Sequence, residues 1–439
     1  MQKTIDFTRY HSVLDNMDTL EYAGRVTKIV GLAVEASGPA SKIGDICEMY
    51  TLNRERSVRA EIVGFREGHT LLMPFGSVEG VGLGSYVMYT GTSLRVPVGK
   101  ELTGRILDAL GHSFDGLPEP KIEAWYPADN VPPNPLARER IHEVLPLGIK
   151  AIDSMLTVGR GQRLGIFSGS GVGKSTLLGM IARYAVADVN VIVLVGERGR
   201  EVRDFIEKDL GEDGLKKSVL VIATSDQPAL LRLKCAMTGT AIAEYFRDCG
   251  YKVLLLMDSL TRFAMAQREI GMAAGEPPVS RGFPPSVYTI LPKLLERSGM
   301  SDKGSITGLY TVLVEGDDMN EPISDTVRGI LDGHIVLSRA IANSNHYPPI
   351  DILGSVSRVM PDIVTKEHFE AFGSIKNLIA VYREAEDLIN IGAYKKGANP
   401  EIDRAVKLHS AIQGFLRQGV AESLTFEETL EIIKEIANS

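Results

Sequence analysis

Cysteine, tryptophan and long apolar runs are scarce in this chain of 439 residues, which has three Cys and one Trp. The odd number of cysteines and the lack of a C-x-x-C pair argue against a disulfide framework or a thiolate zinc site. The eight histidines are scattered without the spacing of metal ligands. The longest aliphatic runs, such as Val253–Met257, are far shorter than the ~20 residues that a membrane helix needs.

An excess of positive charge is missing as well. The formal net charge is −8, which makes nucleic acid and anionic membranes poor default partners. The first 20 residues include Asp6, Asp15 and Asp18 and contain no apolar core of a signal peptide. The composition, 44% hydrophobic and 24% charged, is that of a soluble globular protein of two or three domains. We therefore expect a protein of the cytoplasm or of a cytoplasmic membrane face.

The amino-terminal part of the chain contains two different patterns. In residues 1–20, Phe7, Tyr10, Leu14 and Met17 are spaced like one face of a helix. That face either packs on its own domain or binds a partner, and the pattern alone does not decide. Residues 21–96 contain short β-type stretches between Gly-rich turns, which predicts a small closed barrel or sandwich. The stretches are RVTKIV, LAVEA, CEMYTL, RAEIVGF, HTLLMPF and SYVMYTG.

The remaining chain changes from alternating strands and helices to helices alone. Residues 97–364 predict an α/β domain with a parallel sheet, and a Pro-rich linker at 125–140 precedes its first core strand. The predicted strands are Arg163–Phe167, Val191–Val195, Ser218–Ala223, Lys252–Met257, Ser305–Val314 and Gly333–Leu337. Residues 365–439 predict a small helical domain, in which Thr425 and Glu428 have the spacing of a capping box.

The clearest chemical signal is a phosphate-binding loop between a predicted strand and a predicted helix. It consists of Gly169, Ser170, Gly171, Val172, Gly173, Lys174, Ser175 and Thr176. Its glycines let backbone N–H groups surround phosphates, and the helix start adds a positive dipole end. Lys174 is expected to reach the β- and γ-phosphates, and Ser175 to ligate Mg²⁺. The strict P-loop pattern has Gly where this chain has Ser168.

Hydrolysis also needs a metal ligand, a group that orients water and a positive charge for the transition state. Asp258 ends an apolar strand, where it either holds Mg²⁺ through water or caps the next helix. Glu197 ends another strand, where it either polarises water or belongs to a solvated charge cluster. Arg358 follows a Pro-rich bend and is either an ordinary surface arginine or a charge supplied across a subunit boundary.

In combination, these segments resemble the ATPases of rotary ATP synthases and of type III secretion over nearly the whole chain. The resemblance is carried by GSGVGKST (169–176), VGERGREVRDF (195–205), LLLMDSLTRFA (254–264), ILDGHIVLSR (330–339) and HYPPIDILGSVSR (346–358). It implies a multidomain fold with a small β-barrel, a central RecA-like P-loop ATPase domain and a helical carboxyl-terminal domain. It also implies a homohexamer with ATP bound between subunits.

The resemblance assigns roles to individual residues. Lys174, Ser175 and Asp258 match the phosphate and Mg²⁺ residues, and Glu197 matches the carboxylate that activates water. Arg198 and Arg262 match neighbours of the γ-phosphate, and Arg358 matches an arginine finger that enters the adjoining site. Tyr347 matches the residue that stacks on adenine, and Phe415 matches a second residue of the adenine pocket. The presence of Glu197 indicates a catalytic subunit, because non-catalytic α-type subunits lack this carboxylate.

Several segments favour the secretion branch of the family. Residues 281–299 and 304–328 are similar to that branch, and VEGDD, IGAYKKGANPEIDRAV and FLRQGVAE are most similar to flagellar export ATPases. The resemblance implies a stator-like regulator on the helix of residues 1–20, a central stalk protein and a pore-facing loop at Gly271–Pro285. It further implies contacts with an export gate, chaperones and export substrates at the cytoplasmic membrane face.

Other functions remain open at this point. An injectisome ATPase or a catalytic subunit of a rotary ATP synthase has the same chemistry, although the DELSEED-type acidic segment of the latter is absent here. A Rho-like nucleic-acid translocase shares the P-loop core but requires a basic channel with stacking aromatics. A non-catalytic nucleotide-binding scaffold does not need Glu197, Asp258 and Arg358 together.

Overall fold

The computed structural model describes residues 23–38, 41–314, 316 and 318–439. The helix predicted for residues 1–20 lies outside this part of the chain. Two compact units are present, and the main boundary between them falls after Leu94. In the described residues, no helix combines the length and the apolar character that crossing a bilayer requires.

The first unit contains a closed barrel of six antiparallel strands in the order β1-β2-β5-β4-β3-β6. The strands are β1 (Ala23–Val30), β2 (Ala33–Ser37), β3 (Asp45–Tyr50), β4 (Ser57–Arg66), β5 (His69–Pro74) and β6 (Tyr86–Ser93). Inward side chains such as Val34, Met49, Ile62 and Leu72 form its apolar core. Of the two architectures predicted for this region, the barrel is the one observed.

The tight turn between β4 and β5 depends on its two central residues. Glu67 and Gly68 have φ angles of 49° and 79°, and Arg66 pairs directly with His69. A two-residue hairpin with positive φ at both positions follows the right-handed twist of the strands, and glycine adopts this conformation without steric cost. The turn thereby fixes the register of the hairpin.

The second unit is built on a mainly parallel sheet in the order β17-β16-β10-β15-β13-β11-β12-β8. Its strands, with those of a separate β7-β9 ribbon, are β7 (Arg95–Val98), β8 (Ile106–Asp108), β9 (Ala124–Pro127), β10 (Arg163–Ser168), β11 (Val189–Glu197), β12 (Ser218–Thr224), β13 (Lys252–Asp258), β14 (Gly299–Met300), β15 (Ser305–Leu313), β16 (Gly333–Leu337) and β17 (Val356–Ser357). Strands β14 and β17 are antiparallel to their partners β15 and β16. The six strands predicted from apolar runs are all present, within two residues at each end.

Helices cover the sheet and continue to the carboxyl terminus. They are α1 (Lys150–Met155), α2 (Lys174–Tyr184), α3 (Gly199–Asp204), α4 (Gly211–Lys216), α5 (Ala229–Asp248), α6 (Leu260–Ala274), α7 (Pro285–Leu295), α8 (Pro322–Ile330), α9 (Arg339–Asn343), α10 (Met360–Ile363), α11 (Lys366–Asn390), α12 (Pro400–Leu416) and α13 (Phe426–Asn438). A π-helical turn, Phe205–Leu210, follows α3 directly.

The last three helices share their core with the sheet. Ile375, Leu408 and Ile433 are buried in the same apolar cluster as Leu178 of α2 and Ile192 of β11. The predicted capping box of α13 is confirmed, because Thr425 and Glu428 each bond to the backbone N–H of the other. These helices are therefore anchored to the domain that carries the P-loop.

Candidate active site

The P-loop joins β10 to α2 at the carboxyl edge of the parallel sheet. Gly171 and Gly173 have φ angles of 78° and 88°, a conformation that favours glycine. Since α2 begins at Lys174, the unpaired N–H groups of its first turn lie at this loop. An oriented helix start of this kind favours bound phosphate.

Ser168, which replaces the first glycine of the strict motif, is the last residue of β10. It is buried, and its carbonyl oxygen accepts a hydrogen bond of 3.0 Å from the N–H of Val314. Among the described residues, its Oγ has no hydrogen-bond partner. The backbone of Ser168 thus belongs to the sheet, its side chain is buried there, and the glycines that follow it form the loop.

Two strand ends and the start of α2 bring the predicted catalytic residues together. Asp258 ends β13, Glu197 ends β11, and these two strands pair directly. The Nζ of Lys174 donates a hydrogen bond to Oδ1 of Asp258. Ser175, Glu197 and Asp258 line one cleft. The remaining wall of this cleft consists of Leu194, Glu201, Val202 and Phe205.

The electrostatics of this cleft act mainly on Glu197. Burial of its carboxyl group, and secondly the negative charge of Asp258, raise the pKa of Glu197 to about 7. The positive charges of Lys174 and Arg262 oppose this shift. A carboxyl group whose pKa is near neutrality is suited to accept a proton in general-base catalysis.

The cleft also offers oxygen donors for a divalent cation. The hydroxyl of Ser175 and the carboxylate of Asp258 line the same surface. The described residues contain no group of three or more His, Cys, Asp or Glu side chains that could hold a metal. This donor set fits Mg²⁺, which takes one or two protein oxygens together with nucleotide phosphates and water.

The two arginines predicted beside the γ-phosphate have different surroundings. Arg262 is half-buried next to Gly196, and its Nε has no hydrogen-bond partner among the described residues. Arg198 directly precedes α3, and its side chain is 76% exposed and lies 3.5 Å from Glu201. Their predicted roles remain predictions, and Arg262 is the one adjacent to Glu197.

The two aromatic residues predicted for the adenine pocket also differ in exposure. Tyr347 is 46% exposed, and its ring lies beside Gly173 of the P-loop, where an added Cβ would approach it to 3.5 Å. Phe415 is 7% exposed and belongs to the apolar core. Tyr347 therefore presents an accessible ring surface near the loop, and the role of Phe415 stays a prediction.

Arg358 lies near the amino-terminal end of β10, whereas the P-loop of the same chain follows the carboxyl-terminal end of that strand. Its N–H donates a 3.0 Å hydrogen bond to the carbonyl of Asp332, and the N–H of Asp332 donates to the carbonyl of Arg163. Arg163 is the first residue of β10 and Ser168 the last. At about 3.3 Å per residue, the strand separates these ends by about 17 Å. The exposed side chain of Arg358 is therefore far from the loop in its own chain.

The structure adds three residues that the sequence analysis did not single out. Thr311 donates a hydrogen bond of 2.7 Å to Oδ1 of Asp258. Glu201 enters the cleft beside Glu197, and Gln418 donates from its N–H to the carbonyl of Tyr347 at 2.9 Å. A hydroxyl residue within the apolar strand LYTVL marks Thr311 as unusual, but the sequence pattern does not identify Asp258 as its hydrogen-bond partner.

This fold and site define a P-loop nucleotide-binding protein with an added β-barrel and helical domain. The ATP synthase alpha/beta family, nucleotide-binding domain, matches residues 148–357, and its beta-barrel domain matches residues 26–91. The T3SS EscN ATPase C-terminal domain matches residues 364–435. The three matches follow one another in the order of the observed barrel, sheet and helices.

Full-length relatives identify the branch. The chain is 54% identical to a flagellum-specific ATP synthase of Bacillus subtilis (strain 168), over 97% of this chain and 98% of the relative. It is 50% identical to a type 3 secretion system ATPase of Xanthomonas euvesicatoria, over 94% of each. The assembled ATPase EscN of the enteropathogenic E. coli type III secretion system superposes with a TM-score of 0.90 at 47% identity, covering 94% of this chain and all of that chain. The chain therefore belongs to the flagellar and type III secretion ATPases of the ATP synthase alpha/beta family.

Proposed function

We propose that this chain hydrolyses ATP with Mg²⁺ at the interfaces of a homohexamer and thereby drives protein export through a flagellar type III apparatus. The observation that carries the proposal is the convergence of Lys174, Asp258 and Glu197 at the P-loop edge of one sheet. The relatives named as flagellum-specific ATP synthases support the assignment to flagellar export. In this proposal, ATP hydrolysis releases export substrates from their chaperones and helps to unfold the substrates.

Within one site, each residue has a chemical task. The P-loop N–H groups and Lys174 hold the phosphates, and Ser175 and Asp258 hold Mg²⁺, which would neutralise phosphate charge. Glu197 orients a water molecule toward the γ-phosphate and takes its proton, for which a pKa near neutrality is suited. Arg262, beside Glu197, contributes positive charge to the transition state. Tyr347 stacks on adenine.

The position of Arg358 supports a site shared between subunits. A residue about 17 Å along the sheet from its own P-loop does not reach the phosphates bound by the same chain. An arginine finger supplied by a neighbouring subunit would stabilise the charge that develops during phosphoryl transfer. We assign this role to Arg358, and assembly then becomes a condition for activity.

The first test is steady-state ATP hydrolysis over a range of protein concentrations, with mass photometry on the same samples. Turnover per chain is expected to rise as hexamers appear. Constant turnover per chain from a protein that stays monomeric would contradict the shared site.

Mixed hexamers test the arginine finger directly. Arg358→Ala and Lys174→Ala are each expected to be inactive alone, because each removes one half of every site. In a mixture, the intact Arg358 of one variant meets the intact P-loop of the other, so part of the activity returns. Mixtures with no activity above the sum of the separate variants would contradict action across the interface.

A second candidate function is protein export through an injectisome. It is favoured by the type 3 secretion ATPase of Xanthomonas euvesicatoria and by the superposition on EscN. Expression in a bacterium that lacks its own flagellar export ATPase separates the two functions. Restored swimming supports the flagellar assignment, whereas restored effector secretion in an injectisome mutant, without restored swimming, supports the alternative.

The proposed partners follow from the family. A solved structure of EscN contains its central stalk EscO, and this chain superposes on that EscN with a TM-score of 0.88 at 46% identity. We infer a corresponding stalk protein for this chain, with Gly271–Pro285 as the pore-facing loop. We further infer a stator-like regulator on residues 1–20, and peripheral association with the export gate, chaperones and substrates at the cytoplasmic membrane face. No nucleic-acid partner is proposed, and filter binding with a salt titration tests that exclusion.

A further inference from the structure

Thr311 lies on β15, the strand between the P-loop strand β10 and the Asp258 strand β13. It pairs in register with Ile166 of β10, and its neighbour Tyr310 pairs with Met257 of β13. Its side chain is fully buried. The hydroxyl is therefore held in the centre of the sheet, one strand away from the predicted metal ligand.

The hydroxyl of Thr311 has two acceptors within reach but only one proton to donate. Oδ1 of Asp258 is 2.7 Å away, and the carbonyl oxygen of Met257 is 3.3 Å away. The shorter contact, to a carboxylate oxygen, is the stronger of the two. Thr311 therefore donates its hydroxyl hydrogen bond to Asp258.

Both donors to the Asp258 carboxylate act on the same oxygen. Lys174 and Thr311 each bond to Oδ1, and within the described part of the chain no donor bonds to Oδ2. Asp258 lines the cleft with Ser175. This pattern fixes the carboxylate by one oxygen and leaves the other for a cation or its water shell.

The two donors differ in how firmly they are held. Lys174 has a flexible stem and is the residue that we assign to the phosphates, so its bond to Asp258 is expected to break when nucleotide binds. Thr311 is β-branched, which restricts its χ1 rotamer, and it is enclosed in the sheet. Once Lys174 has turned to the phosphates, Thr311 is the donor that remains.

We propose that Thr311 is a positioning residue that sets the orientation of the Asp258 carboxylate for Mg²⁺. The proposal rests on the proposed function, because it takes Asp258 to be the metal residue of an ATP site. Thr311 does not touch nucleotide in this scheme and acts only through Asp258. Removal of a hydrogen-bond partner of a metal-binding group typically costs 10- to 100-fold in metal affinity.

The test is the Mg²⁺ dependence of nucleotide binding, measured with a fluorescent ADP analogue in EDTA and then across a Mg²⁺ titration. Thr311→Val keeps the shape of the side chain without the hydroxyl, and should raise the half-saturating Mg²⁺ concentration about 10-fold with unchanged binding in EDTA. Thr311→Ser keeps the hydroxyl and should titrate like the wild type. Thr240→Val is the matched control, because it removes a buried hydroxyl that donates to the carbonyl of Ala236 within α5.

A double variant shows whether Thr311 acts through Asp258. In an Asp258→Asn background, Thr311→Val should produce no further shift in the Mg²⁺ titration. A shift that persists there, or a Thr311→Val protein that titrates like the wild type, would overturn the proposal. Should Thr311→Val fail to fold, Thr311→Ala compared with Thr311→Ser makes the same distinction.

The Asp258→Asn variant alone separates this proposal from the proposed function. A raised half-saturating Mg²⁺ concentration in that variant supports Asp258 as the metal residue and leaves Thr311 to be judged by its own variants. An unchanged Mg²⁺ titration in Asp258→Asn would overturn the metal assignment, and with it the role of Thr311.

Discussion

Glu197 and Asp258 stand at the carboxyl ends of the paired strands β11 and β13 and face the same cleft. Because Lys174 bonds to Asp258, that carboxylate has a cationic partner, whereas the burial of Glu197 raises its pKa. Two carboxylates in one cleft are thus given different electrostatic surroundings. This difference suits one to hold a cation and the other to accept a proton.

The first prediction concerns Glu197→Gln. The amide has nearly the same shape but cannot accept a proton from water, so kcat should fall by about 100-fold or more. Nucleotide affinity should stay within about twofold, because the P-loop contacts are intact. Glu207→Gln is the matched control, since it makes the same change at an exposed carboxylate that pairs with Arg203. Near-normal turnover of Glu197→Gln would refute the general-base role.

The second prediction concerns pH. Burial, reinforced by the charge of Asp258, raises the pKa of Glu197 to about 7. A base must be deprotonated to work, so kcat/KM should rise with pH through about 7 and level off above it. The rising limb reports the free enzyme and should be missing from the residual activity of Glu197→Gln. A limb that survives in that variant would belong to another group.

The strand ends were predictable because their signals are local. The run Val253–Met257 followed by Asp258 identifies a residue at a strand end, and the Gly-rich loop before Lys174 identifies the start of a helix that follows a strand. Parallel pairing then brings such ends to one edge of a sheet. The chemistry carried by Lys174, Ser175 and Asp258 could therefore be assigned to one place from the amino-acid sequence alone.

Other features depend on contacts between distant segments. Strands β8 and β17 have three and two residues, too few for a periodic pattern. The bond between Thr311 and Asp258 joins residues 53 positions apart. The separation of Arg358 from its own P-loop depends on the antiparallel pairing of β17 with β16. None of these contacts produces a periodic pattern in the sequence from which it could be predicted.

The third prediction concerns Tyr347. Its accessible ring beside Gly173 is expected to stack on adenine, an interaction worth about 1–3 kcal/mol per base. Tyr347→Ala should weaken the binding of an adenine nucleotide by about 10-fold, as measured by isothermal titration. Tyr347→Phe keeps the ring and should bind like the wild type. Equal losses in both variants would indicate that the hydroxyl, not stacking, matters.

The fourth prediction concerns a buried ion pair remote from the nucleotide. Arg297 and Glu244 are joined by two hydrogen bonds of 2.9 and 2.8 Å, and their side chains are 2% and 1% exposed. Arg297 also donates to the carbonyl of Ala128, and Asn130 donates to Glu244. These bonds tie the Pro-rich linker to α5 and to the end of α7.

Glu244→Gln removes the negative charge and leaves the guanidinium of Arg297 buried without its counter-charge. Such a loss typically costs about 3–5 kcal/mol, so the urea midpoint of unfolding should fall clearly. The control is Asp213→Asn, which alters an exposed pair with Lys216 and should leave the midpoint unchanged. Equal midpoints for Glu244→Gln and the wild type would mean that the amide and its hydrogen bonds suffice, and that the charge of Glu244 contributes nothing to stability.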